Sequence, residues 1–481
     1  MTQKIKFILN NELIEADVNP AAVVLDYIRD NHLTGTKEGC KEGDCGACTV
    51  LVGELKNNEV NYISVNSCLF PLGNIQGKHV VTIEGINPEG KNLTPIQNAF
   101  VEEGASQCGF CTPGFIISLT GYLLSTEDIN AKDALYSMDG NICRCTGHNS
   151  IIRAAEKVIG SFGDDVNSNG TKLKSLIDNK FIPEYFSTIK DRLKDTEVKH
   201  SIREIGEDVP SYFVCGGSDL FVQIPDTMLS ANVKFLYDTP ELKFIREENG
   251  NVLIGSTSTV NEICHSKIMM KHFPQLFNCL ELFGSVPIRN SATLGGNLNN
   301  ASPIGDMTSF FLGLNSTIVL ADGEDNQREI PMKDYYLSYK KTARNVDEYM
   351  KYLFFKIPSK PYHFNFEKVS KRTYLDIASV NSTMLIEMNG NIIDDIHISA
   401  GGVSAIPLYL RKTRENLLNK EVTVDNIKEA AEIAMTEIAP ISDARGAADY
   451  KKLMLKRFIF SHFIKSFPEI ISIKDTIEIA L

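Results

Sequence analysis

Eight of the 11 cysteines lie between Cys40 and Cys145, and their spacing limits what this stretch can fold around. Cys40, Cys45 and Cys48 follow the pattern C-x4-C-x2-C, with Cys68 as a fourth thiol 20 positions later. This is the plant-type [2Fe–2S] spacing, in which a tight loop wraps three thiolates round one side of a compact cluster. Gly39, Gly43 and Gly46 stand where positive φ and close backbone approach are needed for amides to point at sulfur. Zinc also takes four thiolates, but it favours paired C-x2-C knuckles, and the first set has only one. The second set is Cys108-x2-Cys111 with Cys143-x-Cys145. Pro113 reads as an early helical residue, so the first of these pairs sits at a helix N-terminus, where free amides and the dipole favour anionic sulfur. The C-x-C half is compatible with iron–sulfur, with zinc and with buried free thiols. His148 reads as a helix cap or as a ligand. Cys215, Cys264 and Cys279 share no metal spacing.

A chain of 481 residues holds roughly three domains. Hydrophobic residues at 43% and charged residues at 23% place it among folded globular proteins. The net charge is −12, and no basic run could follow a phosphate backbone, which argues against nucleic acid as a partner. No apolar stretch approaches the ~18 residues that span a bilayer. The start, Met1 to Leu9, alternates like a strand and does not form a signal-peptide core. The expectation is a cytoplasmic protein without membrane contact, whose reduced thiols serve as ligands or buried thiols and not as a disulfide framework.

Alternating Ile5, Phe7 and Leu9 with a turn at Asn10-Asn11 predict a hairpin over 4–17. Asn19-Pro20 reads as cap and first turn of a helix over Ala21–Asp30. Strands are expected at 49–55, 59–65 and 79–84, then helices near 94–103, 113–124, 130–137 and 149–160. The Gly-, Asn- and Asp-rich stretch 161–178 reads as a linker. Strands and helices alternate beyond it to about residue 355. Strands at 364–369, 377–388 and 392–399 and helices at 424–438 and 449–466 follow. No G-x-G-x-x-G occurs, which argues against a Rossmann site. GINPEGKN (85–92) has Walker spacing, but Asn92 replaces the required Ser or Thr, so it reads as a chance near-miss. YFVCGGSDL (212–220) and IRNSATLGGNLNNASPIGD (288–306) carry Gly-Gly pairs with adjacent hydroxyls, which can nest a pyrophosphate without a cation.

The runs GTKEGCKEGDCGACTV (35–50), QCGFCTPG (107–114) and NICRCTGH (141–148) resemble the two iron–sulfur domains of the molybdenum hydroxylases, the xanthine dehydrogenase family. The glycine runs resemble that family's FAD-binding domain, and AGGVSAIPLYLRKTRENL (400–417) its C-terminal flavoprotein domain. The resemblance implies an α+β multidomain chain. It would comprise a ferredoxin-like β-grasp domain (1–86), a four-helix [2Fe–2S] domain (87–160), the linker (161–178), a non-Rossmann α+β FAD-binding domain (179–358) and an α+β flavoprotein domain (359–475).

The resemblance also implies that Cys40, Cys45, Cys48 and Cys68 hold one [2Fe–2S] cluster and that Cys108, Cys111, Cys143 and Cys145 hold the other. Gln107 matches a glutamine that approaches the pterin of a molybdenum cofactor on a partner. Val214, Cys215, Gly216, Gly217, Ser218, Asp219 and Leu220 match the first flavin loop, and Thr293, Leu294, Gly295, Gly296 and Asn297 the second. Phe283 matches an aromatic residue beside the flavin, Asp306 an acidic residue in its site, and Lys368 a lysine near the ring. The loop from Lys368 through Asp376 matches the one that governs nicotinamide access. No side chain of this chain is required as general acid or base.

The flavoprotein region runs almost to Leu481, so the molybdenum centre is expected on a separate, larger chain, in a heterotetramer of two small and two large subunits. That partner would oxidise hypoxanthine and xanthine to urate, and electrons would pass through both clusters and FAD to NAD+. The equivalent subunit of an aldehyde, nicotinate or aromatic N-heterocycle hydroxylase is the alternative within the family. A zinc-bound, non-catalytic scaffold is the alternative outside it.

Overall fold

The computed structural model describes residues 2–87, 92–162, 172–196 and 210–474. They form two compact units. The first holds the residues up to 196 together with 210–238 and 285–292, and the second holds 239–284 and 293–474. The expected flavin domain, 179–358, is therefore shared between units by contact, although it is continuous in sequence.

In the first unit, strands Gln3–Leu9 and Glu12–Val18 make the opening hairpin, with Asn10 left-handed at the turn. Ile5, Phe7 and Leu9 face inward, as their alternation requires. The five-stranded sheet runs Glu12–Val18, Gln3–Leu9, His79–Val81, Thr49–Lys56, Glu59–Asn66, and the second and third strands are parallel. Helix Val24–Asp30 buries Val24, Leu25 and Ile28 in the same core. That helix begins later than the sequence suggests. Asn19 Oδ1 accepts the Ala21 amide in a local turn, and Val23 then bridges to Pro71 before the helix starts. Strand 79–84 is also shorter than expected, because Ile83–Ile86 is helical.

The helical part comprises Pro95–Glu102, Thr112–Ser125, Ala131–Ser137 and Asn149–Gly160. Thr94 and Gln97 close a capping box on the first of these. Residues 163–171 of the expected linker and 88–91 of the Walker-like run lie outside the described residues, while Lys172–Asp178 is helix. Leu176, Phe181, Ile182 and Phe186 join the core of the four helices around Phe100, Phe115 and Leu119. Ile189 and Leu193, on helix Phe186–Lys194, pack against Ile8 of the sheet.

The second unit contains an antiparallel sheet in the order Gln327–Pro331, Thr317–Ala321, Tyr349–Lys356, Asn251–Gly255, Ile245–Glu248. A second sheet runs Tyr362–Val369, Val380–Asn389, Ile392–Gly401, Leu408–Tyr409. Helices Val424–Glu437 and Ala448–Ser466 share its core through Ala430, Ala434, Ile459 and Phe463. No helix among the described residues is long and apolar enough to cross a membrane.

Two histidines, His79 in the first unit and His462 in the second, have no exposed surface. His79 Nε2 donates to the Asn10 carbonyl at 2.8 Å, and Nδ1 accepts from Tyr62 Oη at 2.8 Å. His462 Nδ1 accepts from Asn365 Nδ2 at 2.8 Å and Nε2 donates to Ser382 Oγ at 2.9 Å. Burial lowers His79 to about 3 and His462 to about 4, from 6.5. Folded values below the unfolded one mean that the unfolded chain binds more protons, so this stability is complete above pH 6.5 and is lost as pH falls towards 3–4. At 1.4 kcal/mol per unit the loss is about 3–5 kcal/mol per histidine. Thermal unfolding should therefore shift downwards between pH 7 and pH 5, with a shallower slope in His462→Gln. A midpoint independent of pH over that range would contradict it.

Candidate iron–sulfur and flavin sites

The loop carrying Cys40, Cys45 and Cys48 bends through left-handed residues at Lys41, Gly43 and Gly46. Gly39 differs from the expectation, since its φ is not positive. It is small because a Cβ there would stand 2.7 Å from Cys45 Sγ. The Cys48 and Cys68 sulfurs lie 3.3 Å apart, and the Glu42 amide donates to Cys40 Sγ at 3.3 Å. A hydrogen bond from Cys45 lowers Cys40 to about 4, while Cys45 itself is raised. Cys48 is lowered and Cys68 raised through their shared hydrogen bond.

The second set repeats the arrangement. Cys108 and Cys145 sulfurs are 3.5 Å apart. The Phe110 amide lowers Cys108, and Cys145 is raised by its bond to Cys108. Burial pushes Cys111 up to about 12. Burial also opposes ionisation of Cys143, but hydrogen bonds from Thr146 and Cys111 outweigh it. Cys111 occupies the N-cap position of helix Thr112–Ser125, where Pro113 predicts the helix start, without a side-chain cap. His148 occupies a helix N-cap position without a side-chain cap, and its Nε2 instead accepts the Cys143 amide at 3.3 Å. Gln107 is exposed beside Cys108.

Each set thus supplies four thiols in two pairs, one thiol of each pair shifted down and the other up. Among the described residues no three or more Cys, His, Asp or Glu side chains converge on a single metal position. Paired thiols fit a two-iron cluster, in which each iron takes two protein sulfurs, and amide donors to sulfur are what such a cluster uses. The two loops also touch directly. The Ile142 amide, one residue before Cys143, donates to the Cys45 carbonyl at 3.0 Å, and Asn141 Nδ2 to the Gly46 carbonyl at 3.0 Å.

The glycine runs lie one in each unit and are described separately. In the first unit, strand Tyr212–Val214 pairs in parallel with Val233–Phe235 and leads into Gly216-Gly217. Asn74 Nδ2 donates to the Cys215 carbonyl at 2.8 Å. Gly216 meets the Ser291 carbonyl so closely that no Cβ fits, and Gly217 has φ of 80°. Ser218 and Asp219 then lead into helix Leu220–Gln223.

In the second unit, Thr293 caps helix Leu294–Asn299 by accepting the Gly296 amide at 3.2 Å. The Leu294 amide donates to the Ser258 carbonyl at 3.0 Å and the Gly295 amide to the Ser256 carbonyl at 2.8 Å. Ser256 Oγ, Thr257 Oγ1 and Asn297 Oδ1 are buried there without a hydrogen-bond partner. Buried polar atoms are normally satisfied, so this hydroxyl-rich recess beside Gly295 fits a polar cofactor.

Four family models divide the chain. The 2Fe-2S iron-sulfur cluster binding domain matches residues 7–72, and the [2Fe-2S] binding domain matches 82–156. The FAD binding domain in molybdopterin dehydrogenase matches 196–358, and the CO dehydrogenase flavoprotein C-terminal domain matches 366–466. The chain belongs to the iron–sulfur and FAD part of the molybdenum hydroxylase family.

Among curated relatives of this molybdenum hydroxylase chain, Xanthine dehydrogenase 1 of Arabidopsis thaliana is 28% identical over 92% of this chain and 38% of its own length. Xanthine dehydrogenase of Emericella nidulans is 30% identical over 87% of this chain and 35% of its own. The chain therefore spans under two fifths of the length of these relatives. Carbon monoxide dehydrogenase from Hydrogenophaga pseudoflava shares the fold with a TM-score of 0.51 and 23% identity, over 56% of this chain and 93% of that one. The Oligotropha carboxidovorans enzyme gives 0.51 and 23% over 54% and 93%.

The remaining expected residues lie in the second unit. Lys368 lies on strand Tyr362–Val369. Its side chain is 2% exposed, with Nζ 2.6 Å from Asp306 and 2.6 Å from the Leu282 carbonyl, next to half-buried Phe283. Asp306 opens helix Asp306–Gly313 and takes a second donor, Asn381 Nδ2, at 2.7 Å. Asp376 accepts the Arg372 and Ile377 amides and so closes its own loop. Sequence reasoning missed the buried run Ser256–Thr259, Asn381, and the pair Asp139–Arg289. The hydroxyl run following strand Asn251–Gly255 was the signal for the first. Nothing local marks the other two.

Proposed function

We propose that this chain is the electron-transfer subunit of a xanthine dehydrogenase. It would work with a larger molybdopterin-binding chain that oxidises hypoxanthine and xanthine to urate, in a cytoplasmic assembly of two small and two large subunits, with NAD+ as acceptor. One observation carries this reading: eight thiols gathered as pairs in two loops that hydrogen-bond to each other, inside the two domains that match [2Fe–2S] families. When bound, the clusters pass single electrons and FAD exchanges two with nicotinamide.

The chain's own residues hold and insulate these groups. Cys40, Cys45, Cys48 and Cys68 hold one cluster, and Cys108, Cys111, Cys143 and Cys145 the other. Amides of Glu42, Phe110 and Thr146 support sulfur charge. Exposed Cys108 and Cys145, with Gln107, make the second loop the side that receives electrons from the molybdenum partner. Val214–Leu220 and Thr293–Asn297 would hold FAD, the second run through Asn297 Oδ1 beside the Ser256 and Thr257 hydroxyls, since its Leu294, Gly295 and Gly296 amides are already bonded within the protein. Phe283 borders the flavin, and Asp306 and Lys368 fix its surroundings. The 368–376 loop, closed by Asp376, borders the nicotinamide path.

In the copurified complex, Cys108→Ser should abolish xanthine-to-NAD+ turnover while FAD content and NADH-to-dye activity stay near wild type. Full turnover in that variant would refute the wiring, and a wild-type complex inactive with xanthine would refute the substrate.

A further inference from the structure

Residues 285–292 belong in sequence to the matched flavin domain, yet they pack in the unit that carries the cysteines. Helix Val286–Ser291 touches that unit at several functional points. Ile288 reaches Gly43, in the loop between Cys40 and Cys45. Pro287 and Ser285 press on Gly140, shortly before Cys143. Asn290 Nδ2 donates to the Ser64 carbonyl at 2.9 Å, and Tyr237 Oη donates to the Asn290 carbonyl at 3.0 Å. The Ser291 carbonyl lies against Gly216 of the first glycine run, and Ala292 continues directly into Thr293 of the second.

Arg289 anchors this segment. It has no exposed surface, and its guanidinium donates to Asp139 at 2.7 Å and lies over the Tyr136 ring, 5.1 Å from the centroid. The other Asp139 oxygen accepts the Val286 amide at 2.8 Å. A buried ion pair is weak support for stability, because well-packed apolar residues often do as well. What the pair supplies is a fixed register: both partners must meet, so the segment seats in one way only.

We propose that Arg289 is a positioning residue for the flavin. Paired with Asp139, it seats residues 285–292 on the cysteine-bearing unit and so sets the Ser291 carbonyl against Gly216 of the first glycine run. The inference rests on the reading of the Gly216-Gly217 run as part of the FAD site.

The test compares FAD, iron and acid-labile sulfide per chain after gel filtration of the purified protein. Arg289→Met should lose FAD while iron and sulfide remain at wild-type levels, a split that a general scaffold role would not produce. Arg289→Lys, still able to donate to Asp139, should retain more flavin. The double variant Asp139→Leu with Arg289→Met leaves no charge stranded in the core, folds without that penalty, and should show the same selective loss of FAD. Flavin retained in both methionine variants would overturn the proposal, as would parallel loss of flavin, iron and sulfide in both. A wild-type chain that binds iron but no FAD would instead break the reading of the glycine runs and take the inference with it.

Discussion

Cys48→Ser should leave a chain with half its iron and acid-labile sulfide and one reducible paramagnetic signal in place of two. Cys48 is 2% exposed, and its sulfur lies 3.3 Å from that of Cys68. A serine hydroxyl is a hard donor with a high pKa, poorly matched to iron that selects soft thiolate. It also leaves Cys68, whose sulfur pairs with that of Cys48, without the partner that completes an iron's two sulfurs. The loss should stay local, because Cys108, Cys111, Cys143 and Cys145 belong to the other domain and keep their own pairs. Electron paramagnetic resonance of the reduced protein, read beside iron analysis, checks both halves of the statement. Two undiminished signals would remove Cys48 from the ligand set.

Gly216→Ala should strip the protein of FAD. The obstacle to a methyl group is the Ser291 backbone carbonyl, which cannot rotate away as a side chain would. Overpacking of this kind costs about 1–3 kcal/mol or more. Relief requires the strand end after Val214 to separate from helix Val286–Ser291, which deforms the first glycine run. Gly217→Ala makes a useful comparison, since its φ of 80° strains any L residue but the nearest atoms belong to the Phe221 ring. Its cost is of the order of 1–3 kcal/mol of backbone strain, and its flavin loss should be partial. The flavin-to-protein absorbance ratio after dialysis distinguishes the cases. An unchanged ratio in Gly216→Ala would exclude this loop from the FAD site.

Much of this architecture was legible in the chain itself, because it depends on local chemistry. Cysteine spacing marked both sulfur loops, period-two alternation marked the opening hairpin, and Pro113 marked the start of helix Thr112–Ser125. The failures have a common physical cause. Asp139 and Arg289 are 150 positions apart, and no local pattern tells either that it will be buried opposite the other. The motif around Lys368 does not reveal its partners, Asp306 and the Leu282 carbonyl, which the fold alone brings within 2.6 Å. Helix Val24–Asp30 started late because a tertiary bridge from Val23 to Pro71 overrode the Asn-Pro signal. Composition marks covalent boundaries, so it did not reveal that 210–238 and 285–292 pack with the cysteine-bearing residues.

The strap formed by residues 172–196 has a practical bearing on how this protein can be dissected. Its Leu176, Phe181, Ile182 and Phe186 fill the interior of the four helices, and its Ile189 and Leu193 cover part of the neighbouring sheet. A fragment cut at the Gly-rich stretch would expose that interior to water. During synthesis, too, the ribosome must extend past Leu193 before the helical half can close, so sulfur and iron delivered earlier would meet an unfinished vessel.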